Sequence, residues 1–166
     1  MLCNPRQCKS KRIAPRLGVW RVFESFHASN VVRHLGISNC YDLPTLQKLY
    51  QQASVKPSFL QNRFRRETNY DSALRAFLSE NAMTYQSFWT LTANPHILKS
   101  AQLASLSVKL HKTPAAVYFA ALSRLGIVVL SGTTNEQHMR DALEAMESVK
   151  EQLTVDDIEV VRKLFE

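Results

Sequence analysis

Short apolar runs that end on small polar residues recur four times along the chain. They cover residues 31–38, 57–62, 83–89 and 126–134, and their last positions are rich in Ser, Asn, Gln and Thr. Continuous apolar runs of this length are typical of buried strands. In α/β folds the carboxyl ends of the strands form the rim where ligands bind. The pattern therefore predicts four strands that deliver hydrogen-bonding side chains to one shared face.

Segments of helical period separate these runs. The first is an apolar stripe that predicts a helix ending near His27, made of Leu17, Val19, Trp20, Val22, Phe23 and Phe26. Later helices carry start signals, with single caps at Asp42 and at Thr113 before Pro114, and with capping boxes Thr68/Asp71, Thr133/Glu136 and Thr154/Asp157. Helical crossovers between strands imply a parallel sheet. The sequence predicts an α/β fold of four parallel strand–helix units.

Composition and charge change this picture little. The chain has 166 residues, 45% of them hydrophobic and 21% charged, which fits one globular domain. The formal net charge of the chain is +7, and residues 1–16 account for +5 of it, with five basic and no acidic residues. We interpret residues 1–16 as a basic, disordered leader and residues 17–166 as the domain. Nucleic-acid binding would depend on that leader alone, and no aromatic residues accompany its charges, so this function is disfavoured.

Other chemistry is sparse. Three cysteines without repeated spacing disfavour a disulfide framework and favour reduced thiols, with Cys40 a packed free cysteine. No histidine pair has the spacing of a metal site, and we predict none. No run approaches 18 apolar residues, so no membrane span is expected and the cytoplasm is the default location. Arg63, Arg65 and Arg66 form a basic cluster that is either a solvated loop or an anion contact.

Five motifs in order resemble those of one enzyme family. They are Val-x-x-Leu-Gly-Ile-Ser-Asn (32–39), Leu-Gln-Asn (60–62), Tyr-Gln-Ser-Phe-Trp (85–89), Thr-Pro-Ala (113–115) and Gly-Thr-Thr-x-Glu-x-His-Met (132–139). Residues 17–166 are similar to the C-terminal half of aldo-keto reductases, which are NAD(P)-dependent (β/α)₈ barrel enzymes. The resemblance implies a partial TIM barrel, a half-barrel corresponding to strands five to eight, with the outer helices retained.

The resemblance also implies a cofactor site. In the family a Ser-Asn pair after strand five and a Gln after strand six hold the nicotinamide carboxamide, and these match Ser38, Asn39 and Gln61. The end of strand seven usually provides an aromatic that stacks on the ring, but Gln86 stands there, beside Ser87. Tyr85, Phe88 and Trp89 are either barrel core or ligand contacts.

The loop after the fourth strand corresponds to the family's phosphate-binding loop. Ser131, Gly132, Thr133 and Gln137 occupy it, and Ser131 and Gln137 align with a Lys and an Arg that bind the adenosine 2′-phosphate. Loss of two charge-assisted contacts weakens NADP(H) binding, at roughly 1.5–3 kcal/mol each. The resemblance implies weak binding of NADP or NAD with little preference between them.

The family's catalytic Asp, Tyr, Lys and His belong to the first half of the barrel. None of this chain's five tyrosines stands in the family's context for the acid Tyr, so we assign no catalytic residue. The resemblance implies carbonyl reduction or alcohol oxidation by hydride transfer, with this chain alone inactive or nearly so. The alternative is a non-catalytic half-barrel, a relic or interaction module that binds nucleotide weakly.

The half-barrel that the resemblance implies also leads to expectations about binding partners. Four strands cannot close an eight-stranded barrel, so open edges predict self-association. A small carbonyl compound is the expected substrate if the chain is active.

Overall fold

Four parallel strands alternate with helices along the chain. The computed structural model describes residues 13–165. Residues 1–12 of the predicted leader lie outside this range, whereas residues 13–16, also assigned to the leader, lie in the first helix. The strands are β1 (Gly36–Ser38), β2 (Phe59–Arg63), β3 (Thr84–Phe88) and β4 (Ile127–Val129). The helices are α1 (Ile13–Ala28), α2 (Leu43–Gln52), α3 (Ser72–Glu80), α4 (Pro95–Leu98), α5 (Ala101–Leu110), α6 (Pro114–Arg124), α7 (Glu136–Glu144), α8 (Lys150–Gln152) and α9 (Val155–Arg162). A 3₁₀ segment covers Arg66–Asp71 and a π-helical turn covers Ala145–Val149.

The strands form one sheet in the order β1-β2-β3-β4, and the sheet is not closed. The predicted α/β class, a partial TIM barrel of parallel strand–helix units, is confirmed. Gly36 of β1 pairs with Phe59 of β2, and a Cβ on Gly36 would lie 3.0 Å from the Phe59 Cβ. The close approach of the first two strands therefore favours glycine at this position, since a larger residue would force the strands to shift.

The described chain divides into two compact units. The first contains the residues up to Asn62 together with Ala73–Tyr85, and the second contains Arg63–Ser72 and the residues from Gln86 onward. The prediction of a single domain over 17–166 remains a prediction.

The core of the first unit forms around Trp20. This side chain packs with Leu35, Leu49 and Ala53, and its indole N–H donates to the Val55 carbonyl at 3.1 Å. The nearby Glu24 carboxylate accepts hydrogen bonds from the backbone N–H groups of Ser54 and Val55. Burial alone would raise the pKa of Glu24, but these bonds and the Arg21 guanidinium outweigh it and lower the pKa. Helix α1 is thus fixed to the segment after α2.

The second unit packs around α6, which is buried from Ala116 to Leu122. Thr113 caps this helix by accepting from the Ala116 N–H at 3.2 Å, as the sequence predicts. Lys109 on α5 lies 2.7 Å from both carboxylate oxygens of Asp157 on α9. The predicted caps at Asp42 and at the Thr154/Asp157 box are also confirmed.

Of two predictions about the start of the chain, the helix ending near His27 is confirmed, since α1 ends at Ala28, and the bounds of the first strand are wrong. The strand predicted over residues 31–38 is limited to Gly36–Ser38, because the N–H groups of Val31 and Val32 bond the Phe26 carbonyl at the end of α1. The predicted apolar stripe of α1 is buried only at Trp20. Four of its members are exposed, namely Val19, Val22, Phe23 and Phe26. The apolar face of α1 is thus uncovered among the described residues.

Two predicted capping boxes are also wrong. Thr68 does not cap a helix, because Asn69, Tyr70 and Asp71 adopt left-handed φ values of 49°, 49° and 54° before α3 begins. Asn135 rather than Thr133 caps α7, accepting from the His138 N–H at 3.1 Å.

Two further findings bear on the sequence analysis. Cys40 is a free, buried thiol, as predicted. Within residues 13–165 no helix is long and apolar enough to cross a membrane.

Candidate functional site

The predicted carboxamide ligands of the first unit lie side by side, with Ser38 and Asn39 at the carboxyl end of β1 and Gln61 in the middle of β2. Ser38 is paired with Gln61 in the parallel register, and the Asn39 N–H donates to the Gln61 carbonyl at 3.0 Å. The side chains of Ser38 and Asn39 are exposed, and that of Gln61 is half-buried. The fold therefore brings these three residues together at one strand rim.

Asn39 is held in an uncommon backbone conformation. Its φ is 57°, in the left-handed region that asparagine tolerates better than most residues. Its amide nitrogen donates to the Ser38 hydroxyl at 3.0 Å, and its amide oxygen accepts from the Tyr41 hydroxyl at 3.3 Å. A primary amide has two donor hydrogens and an oxygen with two lone pairs. Asn39 can therefore keep these bonds and still donate to and accept from a ligand.

A buried asparagine on the other face of β2 holds the backbone next to Asn39 in place. The Asn62 side chain is fully buried and forms two hydrogen bonds with the backbone of Cys40, the residue after Asn39. Its Oδ1 accepts from the Cys40 N–H at 3.0 Å, and its Nδ2 donates to the Cys40 carbonyl at 2.8 Å. Sequence analysis gave Asn62 no role, although strand alternation after Gln61 places it on the opposite, covered face.

In the second unit, the two predicted contacts on β3 lie on opposite faces of the strand. Gln86 is half-buried, whereas Ser87 is fully buried and its hydroxyl accepts from the Thr90 hydroxyl at 2.9 Å. Because exposure alternates between successive side chains of β3, Gln86 is more accessible to a ligand than Ser87 is.

The predicted phosphate-binding loop is largely exposed to solvent. Ser131, Gly132 and Gln137 are exposed, and a Cβ on Gly132 would meet no atom within 4 Å. The Thr133 hydroxyl accepts from the Asn135 N–H at 3.1 Å, immediately before α7. The Gln137 amide donates to Asp141 at 2.7 Å. This loop therefore offers neutral hydrogen-bonding groups and the amino end of α7, where backbone N–H groups favour anions.

A tyrosine–histidine pair follows β2 in the second unit. The Tyr70 hydroxyl lies 3.0 Å from His96 Nε2, and the Tyr70 ring packs on Phe64 and Phe165 with centroids 5.1 and 5.7 Å apart. Burial raises the pKa of Tyr70, and the nearby Arg66 opposes the rise. Because the ring belongs to an aromatic cluster, the pair anchors the left-handed turn at residues 69–71.

The comparisons with known proteins support the fold. No family model and no curated protein matches the chain. It is similar to an aldo-keto reductase from Brucella melitensis (TM-score 0.79, 18% identity), covering 93% of this chain and 57% of that one. It is also similar to MGS-M4, an aldo-keto reductase from a Medee basin deep-sea metagenome library (TM-score 0.80, 18% identity, 93% and 56% covered).

A third similar structure contains a cofactor. It is a variant of Gox0644 in complex with NADPH (TM-score 0.73, 21% identity), covering 87% of this chain and 51% of that one. The chain thus spans about half the length of the solved chains it matches. At these identities the likeness confirms the resemblance to aldo-keto reductases at the level of the fold.

Proposed function

We propose that this chain provides the nicotinamide-binding half of an NAD(P)-dependent aldo-keto reductase. The observation that carries the proposal is the convergence of Ser38, Asn39 and Gln61 at one strand rim. A nicotinamide carboxamide presents an N–H donor pair and a carbonyl acceptor, and hydroxyl and amide side chains complement both. Fixing the carboxamide fixes which face of the ring meets a substrate. The NADPH complex of a structurally similar chain supports NADP(H) as the cofactor.

The cofactor supplies a hydride when bound, and this chain's residues would hold and orient it. Gln86, Ser87, Ser131, Gly132, Thr133 and Gln137 are the remaining proposed cofactor contacts. Because Ser131 and Gln137 carry no charge, we expect weak binding with little preference for NADPH over NADH. The reaction would reduce a small carbonyl compound or oxidise an alcohol.

Turnover is a separate question from binding. We propose that the chain alone is inactive or nearly so, since its tyrosines lack the family's context for a proton donor. A reducing compartment such as the cytoplasm is the proposed location, and the free thiol of Cys40 supports it.

Equilibrium binding of NADPH, followed by its fluorescence, tests the proposal. Asn39→Ala and Gln61→Ala should each weaken binding about tenfold, since one lost hydrogen bond contributes about 0.5–1.5 kcal/mol and an unpaired ligand group adds more. Gln102→Ala, an exposed amide on α5, is the matched control and should bind as the parent does. If Asn39→Ala and Gln61→Ala bound NADPH as tightly as the control Gln102→Ala, the proposal would be contradicted. Mixing the chain with NADPH and an aldehyde panel tests turnover, and rapid NADPH oxidation would contradict the proposed inactivity.

The alternative function, a non-catalytic interaction module, is favoured by one observation. Helix α1 exposes Val19, Val22, Phe23 and Phe26, each between 44% and 57% exposed. The sheet is not closed, and the similar solved chains are about twice as long. We propose that a second copy of this chain covers α1 and supplies four further strands. Sedimentation velocity should detect a dimer, and a monomer at all concentrations would contradict this.

A further inference from the structure

Tyr41 lies two residues after Asn39, and neither the sequence motifs nor the proposed function gives it a role. Its side chain is half-buried, and its hydroxyl donates to the Asn39 amide oxygen at 3.3 Å. Asn39 is one of the proposed ligands of the nicotinamide carboxamide. A tyrosine that directs its hydroxyl at such a ligand is a candidate for positioning it.

The backbone on either side of Tyr41 is held in place. Before it, Cys40 forms two hydrogen bonds with the buried side chain of Asn62, at 2.8 and 3.0 Å. After it, Asp42 caps α2 by accepting from the Thr45 N–H at 3.0 Å. All of these residues belong to the first compact unit. Tyr41 therefore lies on a short segment that is fixed at both ends, between β1 and α2.

Three side chains form a directed series of hydrogen bonds at the rim. The Tyr41 hydroxyl donates to Asn39 Oδ1, and Asn39 Nδ2 donates to the Ser38 hydroxyl oxygen at 3.0 Å. A hydroxyl has one proton and two acceptor lone pairs. Because Ser38 accepts through its oxygen in this series, it keeps its proton for a ligand.

The direction of the series has a chemical cause. Turning the Asn39 amide over would reverse it, so that Ser38 donates to Oδ1 and the Tyr41 oxygen accepts from Nδ2. The phenolic hydroxyl of tyrosine is a stronger donor and a weaker acceptor than the aliphatic hydroxyl of serine, because the ring draws electron density from its oxygen. The observed direction, with Tyr41 as the first donor, is therefore the favoured one.

We propose that Tyr41 sets this direction and thereby makes Ser38 a donor to the carbonyl oxygen of the carboxamide. Such a rim favours a ligand with a strong acceptor over one with sulfur at the same position, since sulfur accepts hydrogen bonds weakly. Because it acts through Asn39, Tyr41 is a positioning residue. That the ligand is a nicotinamide carboxamide rests on the proposed function, whereas the hold of Tyr41 on Asn39 does not.

Binding of NADP⁺ and of thio-NADP⁺, in which sulfur replaces the carboxamide oxygen, tests the proposal by calorimetry. The parent chain should bind NADP⁺ about tenfold more tightly than the thio analogue, and Tyr41→Phe should reduce this preference to about threefold or less. A merely structural role would weaken both ligands equally and leave the preference unchanged. Tyr50→Phe is the matched control, at a half-buried tyrosine of α2 whose ring packs on Phe77, and should keep the parent's preference.

A second measurement needs no cofactor. In ¹⁵N relaxation of the free chain, the order parameter of the Asn39 side-chain amide should fall by about 0.2 or more in Tyr41→Phe, because its oxygen loses the hydroxyl that holds it. Asn39→Ala identifies the resonance by its disappearance. Tyr50→Phe should leave the order parameter unchanged.

Three results would overturn the inference. These are equal affinity of the parent for NADP⁺ and thio-NADP⁺, an unchanged preference in a Tyr41→Phe variant that circular dichroism shows to be folded, and an unchanged order of the Asn39 amide in that variant. If the parent binds neither dinucleotide, the proposed function fails, and the relaxation measurement still decides whether Tyr41 holds Asn39. The failures of the two proposals are thus distinguishable.

Discussion

Replacing Asn62 with leucine removes the side chain that ties the strand rim together. Leucine has the same four-atom branched side-chain skeleton, but it can neither donate to nor accept from Cys40. In the parent chain these two hydrogen bonds measure 2.8 and 3.0 Å and are fully buried. Asn62→Leu therefore removes the hydrogen bonds that Asn62 makes with the buried backbone N–H and carbonyl of Cys40.

The magnitude follows from those two groups. Each buried polar group left unsatisfied costs about 1–3 kcal/mol, and the added apolar contact of leucine offsets part of the sum, so we expect a loss of about 2–4 kcal/mol. This is a large fraction of the roughly 5–15 kcal/mol that stabilises a typical protein. NADPH binding should weaken as well, because Cys40 directly follows Asn39.

Urea unfolding followed by circular dichroism measures the loss of stability. Gln102→Leu, at an exposed position on α5, is the matched control and should change the free energy of unfolding by less than about 0.5 kcal/mol. A loss below about 1 kcal/mol in Asn62→Leu would refute the argument, because that value is smaller than the expected cost of a single unsatisfied group.

Three further predictions concern other parts of the chain. Burial is the largest single influence on Asp157 and would raise its pKa, but hydrogen bonds from Lys109 and Thr154 together with the Lys109 charge lower the pKa below the ordinary 3.8. The stability that Asp157 contributes is therefore present above about this pH and is lost as pH falls through the lowered pKa, so Asp157→Asn should flatten the acid dependence of the urea midpoint. Phe23→Ser with Phe26→Ser should weaken dimerisation roughly thirtyfold, at about 1 kcal/mol per half-exposed ring, measured by sedimentation. Gln137→Arg should raise the NADPH-to-NADH affinity ratio about tenfold in fluorescence titrations.

Each of these predictions has a result that would contradict it, and the second and third have a control variant. An unchanged acid dependence in Asp157→Asn would contradict the first. A double serine variant that dimerises as tightly as the parent would contradict the second, with Val160→Ser, an exposed apolar residue on α9, as the control. Equal gains in NADPH and NADH affinity would contradict the third, with Gln152→Arg as the control for added charge.

Local signals in the sequence predicted helix starts well where one side chain decides the geometry. Thr113 and the Thr154/Asp157 box cap their helices as predicted because the cap depends on residues three positions away. The Thr133 cap failed because Asn135, a stronger cap, lies two residues later. The left-handed turn at Asn69–Asp71 has no local signal, since its anchors, Phe165 and His96, are distant in sequence.

Burial was harder to predict, because it depends on what covers a residue. The apolar stripe of α1 has the period of a buried helix, yet Phe23 and Phe26 lie uncovered in the described structure. At the candidate site, motif resemblance placed Ser38 and Gln61 correctly side by side. The resemblance named both Gln86 and Ser87 as cofactor contacts without distinguishing their accessibility. Strand alternation makes that distinction, since Gln86 is half-buried and Ser87 is buried.

A crystal structure of the chain with NADPH bound tests the central claim most directly. The account predicts that the nicotinamide carboxamide lies within about 3.5 Å of polar atoms of Asn39 and Gln61. A bound cofactor whose carboxamide contacts neither side chain would contradict it.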